Sequence, residues 1–192
     1  MTDATAPASN DATAASDTTS AASDATSATS SDASAAADTD TTLGFTEIKG
    51  WLRHRHPMIY IDRVLDHRPG EYLRSMLAVS GTMDSIAGHF PERAIYPGSH
   101  LIQAFAQSGI ILYQMSTSVL RDDELTLIGS VHCKFHKIVV VGDQVIFDVR
   151  CDRIIGNTFH FSCRATVEDK PAAAFRGSLI RVTVEQLGRQ LW

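Results

Sequence analysis

The first 42 residues of this 192-residue chain contain no aromatic residue, no lysine and no arginine. They consist almost entirely of alanine, serine, threonine and aspartate in a nearly repeating pattern. A segment of this composition cannot bury enough apolar surface to offset the entropy lost on ordering. Because it also lacks a basic start, an apolar run and arginine, it resembles neither a secretory signal nor an organelle address. We therefore predict that residues 1–42 form a disordered tail.

Long hydrophobic runs and paired cysteines are missing as well. No apolar stretch approaches the roughly 20 residues that span a bilayer, which argues against a membrane protein. The three cysteines are odd in number and match no zinc-ligand spacing, which is typical of small core residues in a reducing cytoplasm. They are Cys133, Cys151 and Cys163. We predict a cytoplasmic protein that holds no metal and no cofactor of its own.

Excess charge of either sign is small once the tail is set aside. The chain has 22 acidic and 17 basic residues, and the tail contains seven of the acids but none of the bases. The remainder of the chain therefore has a net charge of about +2, which argues against nucleic acid as a partner. A local basic patch for an acidic partner remains compatible with this balance. Residues 43–192 have a suitable length for a single domain.

A long apolar helix occupies the middle of the chain, beginning at Pro97-Gly98 and continuing to Tyr113. Apolar residues cover most of its surface, so the pattern predicts a buried helix. Two amides, Gln103 and Gln107, interrupt it and lie four residues apart on one face. An unpaired buried amide costs about 1–3 kcal/mol, so both need partners, either from the protein or from a substrate.

Alternating apolar and polar residues predict strands on both sides of this helix. A short helix at 45–52, capped by Thr46, precedes a hairpin of two strands. The predicted strands cover 58–67, 71–80, 125–137, 144–155, 158–168 and 172–184. Tight turns between consecutive strands predict an antiparallel meander, and hence an α+β fold in which a curled sheet wraps around the helix. A second copy of the chain, in a two-fold dimer, could cover the remaining side of the helix.

The segment around the helix start resembles a family signature. Gly-His-Phe-Pro at 88–91, Pro-Gly at 97–98, Gln-Ala at 103–104 and Gln107 have the spacing of the hot-dog fold 3-hydroxyacyl-[acyl-carrier-protein] dehydratases of the fatty-acid synthesis type. The resemblance extends over about residues 48–184. It includes Leu52 to Val64, similar to the family's opening strand. It also includes Lys134-Phe135 with Gly142-Asp143, similar to its central hairpin.

The resemblance implies a hot-dog fold and a set of site residues. It makes His89 the base that takes a proton from C2 of the substrate, since an imidazole titrates near neutral pH. It makes the Gly98 N–H, at the positive end of the buried helix, the donor to the thioester oxygen. The predicted catalytic positions are His89 and Gln103, and the predicted substrate-binding positions are Gly98, Phe90, Pro97 and Gln107.

One departure from the family concerns the general acid, the group that protonates the leaving hydroxyl. The family has a catalytic glutamate where this chain has Gln103, and an amide cannot donate a proton to a leaving hydroxyl. Losing a general acid typically costs about 10²–10⁴-fold in rate, so His89 would have to act first as base and then as acid. Tyr96 and Val141 also replace a usual methionine and proline. Ser99 and His100 replace small or branched apolar residues, and we expect His100 to face solvent or a dimer partner.

These observations favour dehydration of (3R)-hydroxyacyl thioesters on acyl carrier protein to trans-2-enoyl thioesters, in fatty-acid or specialised lipid or polyketide biosynthesis. The substrate would be carried on phosphopantetheine. Two alternatives stay open: an acyl thioesterase on the same fold, and a catalytically impaired subunit that binds the carrier protein. The expected assembly is a homodimer or a higher oligomer. Arg63, Lys134 and Lys137 are candidates to receive the phosphopantetheine phosphate or an acidic carrier protein.

Overall fold

The computed structural model describes residues 41–90 and 92–189. Its elements, in chain order, are α1 (Phe45–Trp51), β1 (Arg63–Arg68), β2 (Tyr72–Ala78), α2 (Asp84–His89), α3 (Gly98–Ser116), β3 (Glu124–Phe135), β4 (Gln144–Ile155), β5 (Thr158–Val167), β6 (Lys170–Thr183) and a 3-10 turn (Glu185–Leu187). The prediction of a disordered tail falls outside the described residues except at Thr41 and Thr42. The Thr41 hydroxyl donates to Asp66 Oδ1 at 2.8 Å. Pro91 of the family signature also lies outside them.

All six strands join in one antiparallel sheet in the order β1-β2-β4-β5-β6-β3. The antiparallel pairing is confirmed, but the simple meander is wrong, since β3 and β4 follow one another and do not pair. β4 pairs with β2, and β3 pairs with β6 at the edge of the sheet. The connection between β3 and β4 is therefore not a hairpin. The residues of this connection pair instead with the segment before α3, where the Tyr96 N–H donates to the Val139 carbonyl at 2.9 Å.

The buried helix is confirmed as α3, which lies against the inner face of this sheet. Phe105 and Ile111 have no exposed surface, and the Phe105 ring stacks on the Phe161 ring of β5 at 4.3 Å between centroids. Burying each side chain of this size contributes about 1.5–3 kcal/mol. A Cβ atom at Gly109 would lie 2.3 Å from Phe161 Cε2, so glycine permits the close approach of helix and strand. No helix in the described part of the chain is long and apolar enough to cross a membrane.

Several element boundaries differ from the predictions. The cap of α1 is Gly44 and not Thr46, because the Gly44 N–H donates to Glu47 Oε2 at 2.8 Å. The strand predicted from residue 58 begins only at Arg63, since a glutamine of α3 hydrogen-bonds the backbone at 58–60. The short helix α2 was not predicted. The four strands after α3 agree with their predicted bounds to within two residues.

Candidate active site

His89 is the last residue of α2, and a sharp turn follows it. The Ala94 N–H donates to the Phe90 carbonyl at 2.9 Å, which reverses the chain and brings the carbonyl oxygen of Ile95 to 3.1 Å from His89 Nδ1. A carbonyl can only accept a hydrogen bond, so Nδ1 of the neutral ring carries the hydrogen and Nε2 keeps its lone pair. The histidine therefore has the tautomer that a general base requires.

The start of α3 provides free hydrogen-bond donors. Pro97 precedes the helix in an extended conformation, and no side chain within residues 41–90 and 92–189 caps the helix. The N–H groups of His100 and Leu101 donate hydrogen bonds to the Pro97 carbonyl, at 3.0 and 3.3 Å. Those of Gly98 and Ser99 find no acceptor among the residues that the structure describes. Free N–H groups at a helix start carry partial positive charge and can stabilise an oxyanion.

His89 and Gly98 line the same cavity, which has a volume of about 340 Å³. Its other walls are mainly apolar and come from the segment before α3, the helix itself and the end of β3, with Tyr96, Leu101 and Ile138 among them. The volume lies in the range of small-ligand sites. The structure therefore brings together the imidazole and the helix N-terminus that the sequence analysis had placed in one site.

Phe135, at the end of β3, covers the start of the helix. A Cβ atom at Gly98 would lie 2.9 Å from Phe135 Cζ, so the aromatic ring needs a glycine beneath it. The ring also lines the cavity, and 46% of Phe135 is exposed. Sequence analysis did not assign Phe135 to the site, because only the pairing of β3 with β6 carries it there. Phe90 is 48% exposed, and its ring lies 4.2 Å from the His89 ring.

The two amides of α3 have different environments. Gln107 is fully buried, and both ends of its amide bind backbone: Oε1 accepts from the Tyr60 N–H at 2.8 Å, and Nε2 donates to the Met58 carbonyl at 2.6 Å. A direct contact between Gln107 and substrate stays a prediction. Gln103 is half-buried, its side chain makes no hydrogen bond within residues 41–90 and 92–189, and it is not among the residues that line the cavity. Its catalytic role also stays a prediction.

His100 lies one turn before Gln103 and is packed between two tyrosines. Its ring centroid is 4.7 Å from that of Tyr60 and 5.7 Å from that of Tyr96, so the half-buried ring packs on side chains of its own chain. A contact between His100 and a dimer partner stays a prediction. Burial and the charge of His89 lower the pKa of His100. Burial, together with Tyr60 and Asp62, raises the pKa of Tyr96 and keeps its hydroxyl protonated. The sequence pattern did not predict that His100, Tyr60 and Tyr96 would pack together.

An antiparallel sheet packed on a central helix is the architecture of a hot-dog fold. The family described as a FabA-like domain matches residues 52–176. The chain therefore belongs to the FabA-like family of hot-dog dehydratases, and the fold and family predicted from the sequence are confirmed.

Named relatives agree with this assignment. Coronafacic acid dehydratase of Pseudomonas savastanoi pv. glycinea is 56% identical over 151 residues, which cover 79% of this chain and 92% of that protein. The 3-hydroxyacyl-[acyl-carrier-protein] dehydratase FabZ of Rickettsia massiliae is 34% identical over 131 residues, covering 68% of this chain and 90% of that protein. The chain is thus a dehydratase, a hydro-lyase of the FabA/FabZ type.

A solved structure shares the fold at much lower sequence identity. The dehydratase heterocomplex ApeI:P from Xenorhabdus doucetiae contains a chain that matches with a TM-score of 0.62 and 12% identity. The match covers 74% of this chain and 97% of the other. At this identity the likeness supports the hot-dog architecture alone.

Proposed function

We propose that this dehydratase converts (3R)-hydroxyacyl thioesters on acyl carrier protein to trans-2-enoyl thioesters. The main support is that His89 and Gly98, whose N–H group is free at the start of α3, line one cavity. The printed name of the FabZ relative specifies a 3-hydroxyacyl substrate on a carrier protein. The more similar coronafacic acid dehydratase favours a specialised pathway, of the polyketide kind, over bulk fatty-acid synthesis.

The chemistry uses the tautomer and the helix start described above. Nε2 of His89 removes the proton from C2, and the charge that develops on the thioester oxygen is stabilised by the N–H groups of Gly98 and Ser99. The C3–O bond then breaks, a C2=C3 double bond forms, and the hydroxyl leaves as water. Because the Gln103 amide cannot supply a proton, the imidazolium of His89 returns the one it took.

We also propose that the chain acts as a homodimer, through strand β3. This edge strand has 12 residues, and it exposes Leu127, Ile128 and Val131 by 42%, 44% and 36%. A long edge strand with unpaired backbone and exposed apolar side chains favours pairing with another chain.

All three cysteines are free thiols, which supports the proposed cytoplasmic location.

A direct assay tests the proposed reaction. The protein is incubated with (3R)-hydroxyacyl carrier protein and, separately, with the trans-2-enoyl form, and products are followed by mass spectrometry of the carrier. Loss of water in the first reaction and its gain in the second are expected. Release of free acid and free carrier thiol would instead identify a thioesterase and contradict the proposal.

A second candidate is a catalytically impaired subunit that binds the carrier protein. The observation that favours it is Gln103, which lacks the proton of the family's glutamic acid. This candidate predicts that carrier protein binds without any conversion of either thioester.

A further inference from the structure

The cavity that His89 and Gly98 line contains a polar side chain that the proposed mechanism does not use. Tyr96 also lines this cavity, and only 3% of the residue is exposed. Two other polar side chains of the lining, those of His136 and Lys137, are exposed to solvent. Within the described part of the chain, Tyr96 is therefore the residue of the lining that combines burial with a side-chain hydrogen-bond donor.

The backbone around Tyr96 places it next to both groups that act on the substrate. The carbonyl oxygen of the preceding residue, Ile95, lies 3.1 Å from His89 Nδ1, and Gly98 begins α3 two residues after Tyr96. The Tyr96 N–H donates to the Val139 carbonyl at 2.9 Å, which holds this segment in the wall of the cavity. One short stretch of backbone therefore carries Tyr96 and the oxyanion donor, and it also anchors the base.

The ring of Tyr96 is held by packing against α3. It meets the His100 ring edge-on, with the ring centroids 5.7 Å apart and an angle of 70° between the ring planes. A tyrosine side chain has only two rotatable angles, so a packed ring leaves its hydroxyl few positions. The hydroxyl is thus positioned before any ligand binds.

The hydroxyl of Tyr96 has no hydrogen-bond partner among the residues that the structure describes. Nδ1 of the neighbouring His100 is unpaired and fully enclosed, whereas the Tyr96 oxygen keeps access to open space. A buried tyrosine normally pairs its hydroxyl, because an unpaired one has lost its contacts with water without replacement. An oxygen atom of a ligand in the cavity would supply the missing acceptor.

The proton of this hydroxyl stays in place at neutral pH. Burial, together with Tyr60 and Asp62, raises the pKa of Tyr96. A phenol of this kind is a poor source of protons but a permanent hydrogen-bond donor, and its hydrogen bonds are stronger where water is excluded. Its chemistry suits an oxygen atom that gains negative charge during a reaction.

The leaving hydroxyl of the substrate is such an oxygen atom, and it lacks a protein donor in the proposed mechanism. Gln103 stands at the position of the family's glutamate, and Tyr96 stands at the position of its usual methionine. The first difference removes the acidic proton that could assist departure of the hydroxyl. The second adds an O–H group to the wall of the cavity that contains the base.

Building on the proposed function, we propose that the Tyr96 hydroxyl donates a hydrogen bond to the 3-hydroxyl oxygen of the substrate and thereby assists its departure. The hydrogen bond strengthens as the C3–O bond breaks and negative charge accumulates on that oxygen. His89 still removes the proton from C2, and the C2=C3 double bond forms. The imidazolium of His89 then protonates the departing oxygen to give water, while Tyr96 keeps its own proton.

The test varies the leaving group and the donor separately. A (3R)-hydroxyacyl pantetheine thioester is compared with the thioester that carries chlorine in place of the hydroxyl, because chloride departs without a proton. Both substrates are given to the wild type, Tyr96→Phe and Tyr60→Phe. Tyr60→Phe is the matched control, since Tyr60 also packs on His100 but lies outside the cavity lining, and its hydroxyl donates to Met58 Sδ at 3.3 Å. Melting temperatures establish that each variant is folded.

We expect Tyr96→Phe to lower kcat for dehydration by about 10- to 100-fold with little change in KM, since the hydrogen bond strengthens mainly in the transition state. Elimination of chloride, corrected for the uncatalysed rate, should stay within about twofold of the wild type, because that leaving group needs no donor. Tyr60→Phe should match the wild type on both substrates. A role of Tyr96 in packing alone would lower both eliminations equally.

Equal losses on the two substrates would overturn the inference, and so would an unchanged kcat for dehydration in Tyr96→Phe. If the wild type does not dehydrate the hydroxyacyl thioester, the proposed function fails, and the contact is tested by binding. The pantetheine amide of the 3-hydroxy acid and its 3-deoxy analogue are then titrated into the wild type and Tyr96→Phe in a calorimeter. Weaker binding of the hydroxylated ligand alone to Tyr96→Phe would support the contact, whereas equal effects on both ligands, or none, would reject it.

Discussion

The Nδ1 atom of His89 lies 3.1 Å from the carbonyl oxygen of Ile95, two residues before the cap of α3. This contact attaches the imidazole to the segment that begins the helix, and Ile95 is itself held by a bridge to Val140. The base and the oxyanion donors are thus supported by the same short stretch of backbone. Such mutual positioning keeps reacting groups in a productive geometry.

Replacing His89 tests the assignment of the base. We expect His89→Gln to lower kcat for dehydration by about 10²–10⁴-fold, because both proton transfers depend on this ring. His54→Gln is the control, since His54 lines a cavity other than the catalytic one. Steady-state rates with a 3-hydroxyacyl thioester give the comparison. A His89→Gln enzyme with near-wild-type kcat would show that the base lies elsewhere.

Restoring a carboxylic acid at position 103 tests the consequence of the glutamine. We expect Gln103→Glu to increase the rate of dehydration, by up to about 10²-fold, if the remaining site is intact. Gln103→Met, which keeps the size and removes the polar amide, should show no gain. The rate of enoyl formation is the measurement. Equal rates in Gln103→Glu and the wild type would mean that position 103 does not reach the leaving hydroxyl.

The contact between Gly98 and Phe135 predicts a coupled pair of mutations. Gly98→Ala introduces a Cβ atom 2.9 Å from Phe135 Cζ, so the ring must move, and we expect a loss of stability of about 1–3 kcal/mol. In the Phe135→Ala background the same substitution should cost less, because the ring is gone. A double-mutant cycle in urea measures the difference. Purely additive effects would contradict the packing described above.

The buried amide of Gln107 predicts a large difference between two neighbouring glutamines. Gln107→Leu leaves the Tyr60 N–H and the Met58 carbonyl without partners, and the buried Tyr60 N–H alone costs about 1–3 kcal/mol. Gln103→Leu is the matched control and should change the free energy of unfolding much less, because the half-buried Gln103 side chain makes no hydrogen bond within the described residues and its loss leaves no backbone group without a partner. Equilibrium unfolding in urea measures both. Comparable losses in the two variants would argue against a structural role for Gln107.

The environment of His100 predicts a pH dependence of stability. Burial and the charge of His89 lower the pKa of His100 in the folded state below its ordinary value of 6.5. Tyr60 and Tyr96 pack against its ring, and Asp62 acts on Tyr96. The unfolded chain therefore binds this proton more readily, so the stability contribution is lost as the pH falls through about 6.5.

Thermal melts across this pH range separate His100 from other groups. The wild type should lose more stability than His100→Gln between about pH 7.5 and pH 5.5, because the variant cannot take up the proton. Parallel pH profiles for the two proteins would show that His100 does not contribute. Because burial also lowers the pKa of His54, His54→Gln provides the comparison for a histidine remote from the catalytic cavity.

Much of this protein is determined by local sequence patterns. Alternation and turn residues specify the bounds of β4, β5 and β6 to within two residues, because side-chain period and turn geometry are properties of short segments. The all-apolar surface of α3 indicates its burial, and Pro97-Gly98 indicates its start. The signature around His89 was sufficient to identify the family.

Tertiary structure alone decided which distant segments meet. The pairing of β3 with β6, the position of Phe135 over Gly98 and the partners of the Gln107 amide all join residues far apart in the sequence. A local pattern states that a strand has an inner face or that a buried amide needs a partner. It does not select the partner, because that choice depends on the free energy of the whole packed arrangement.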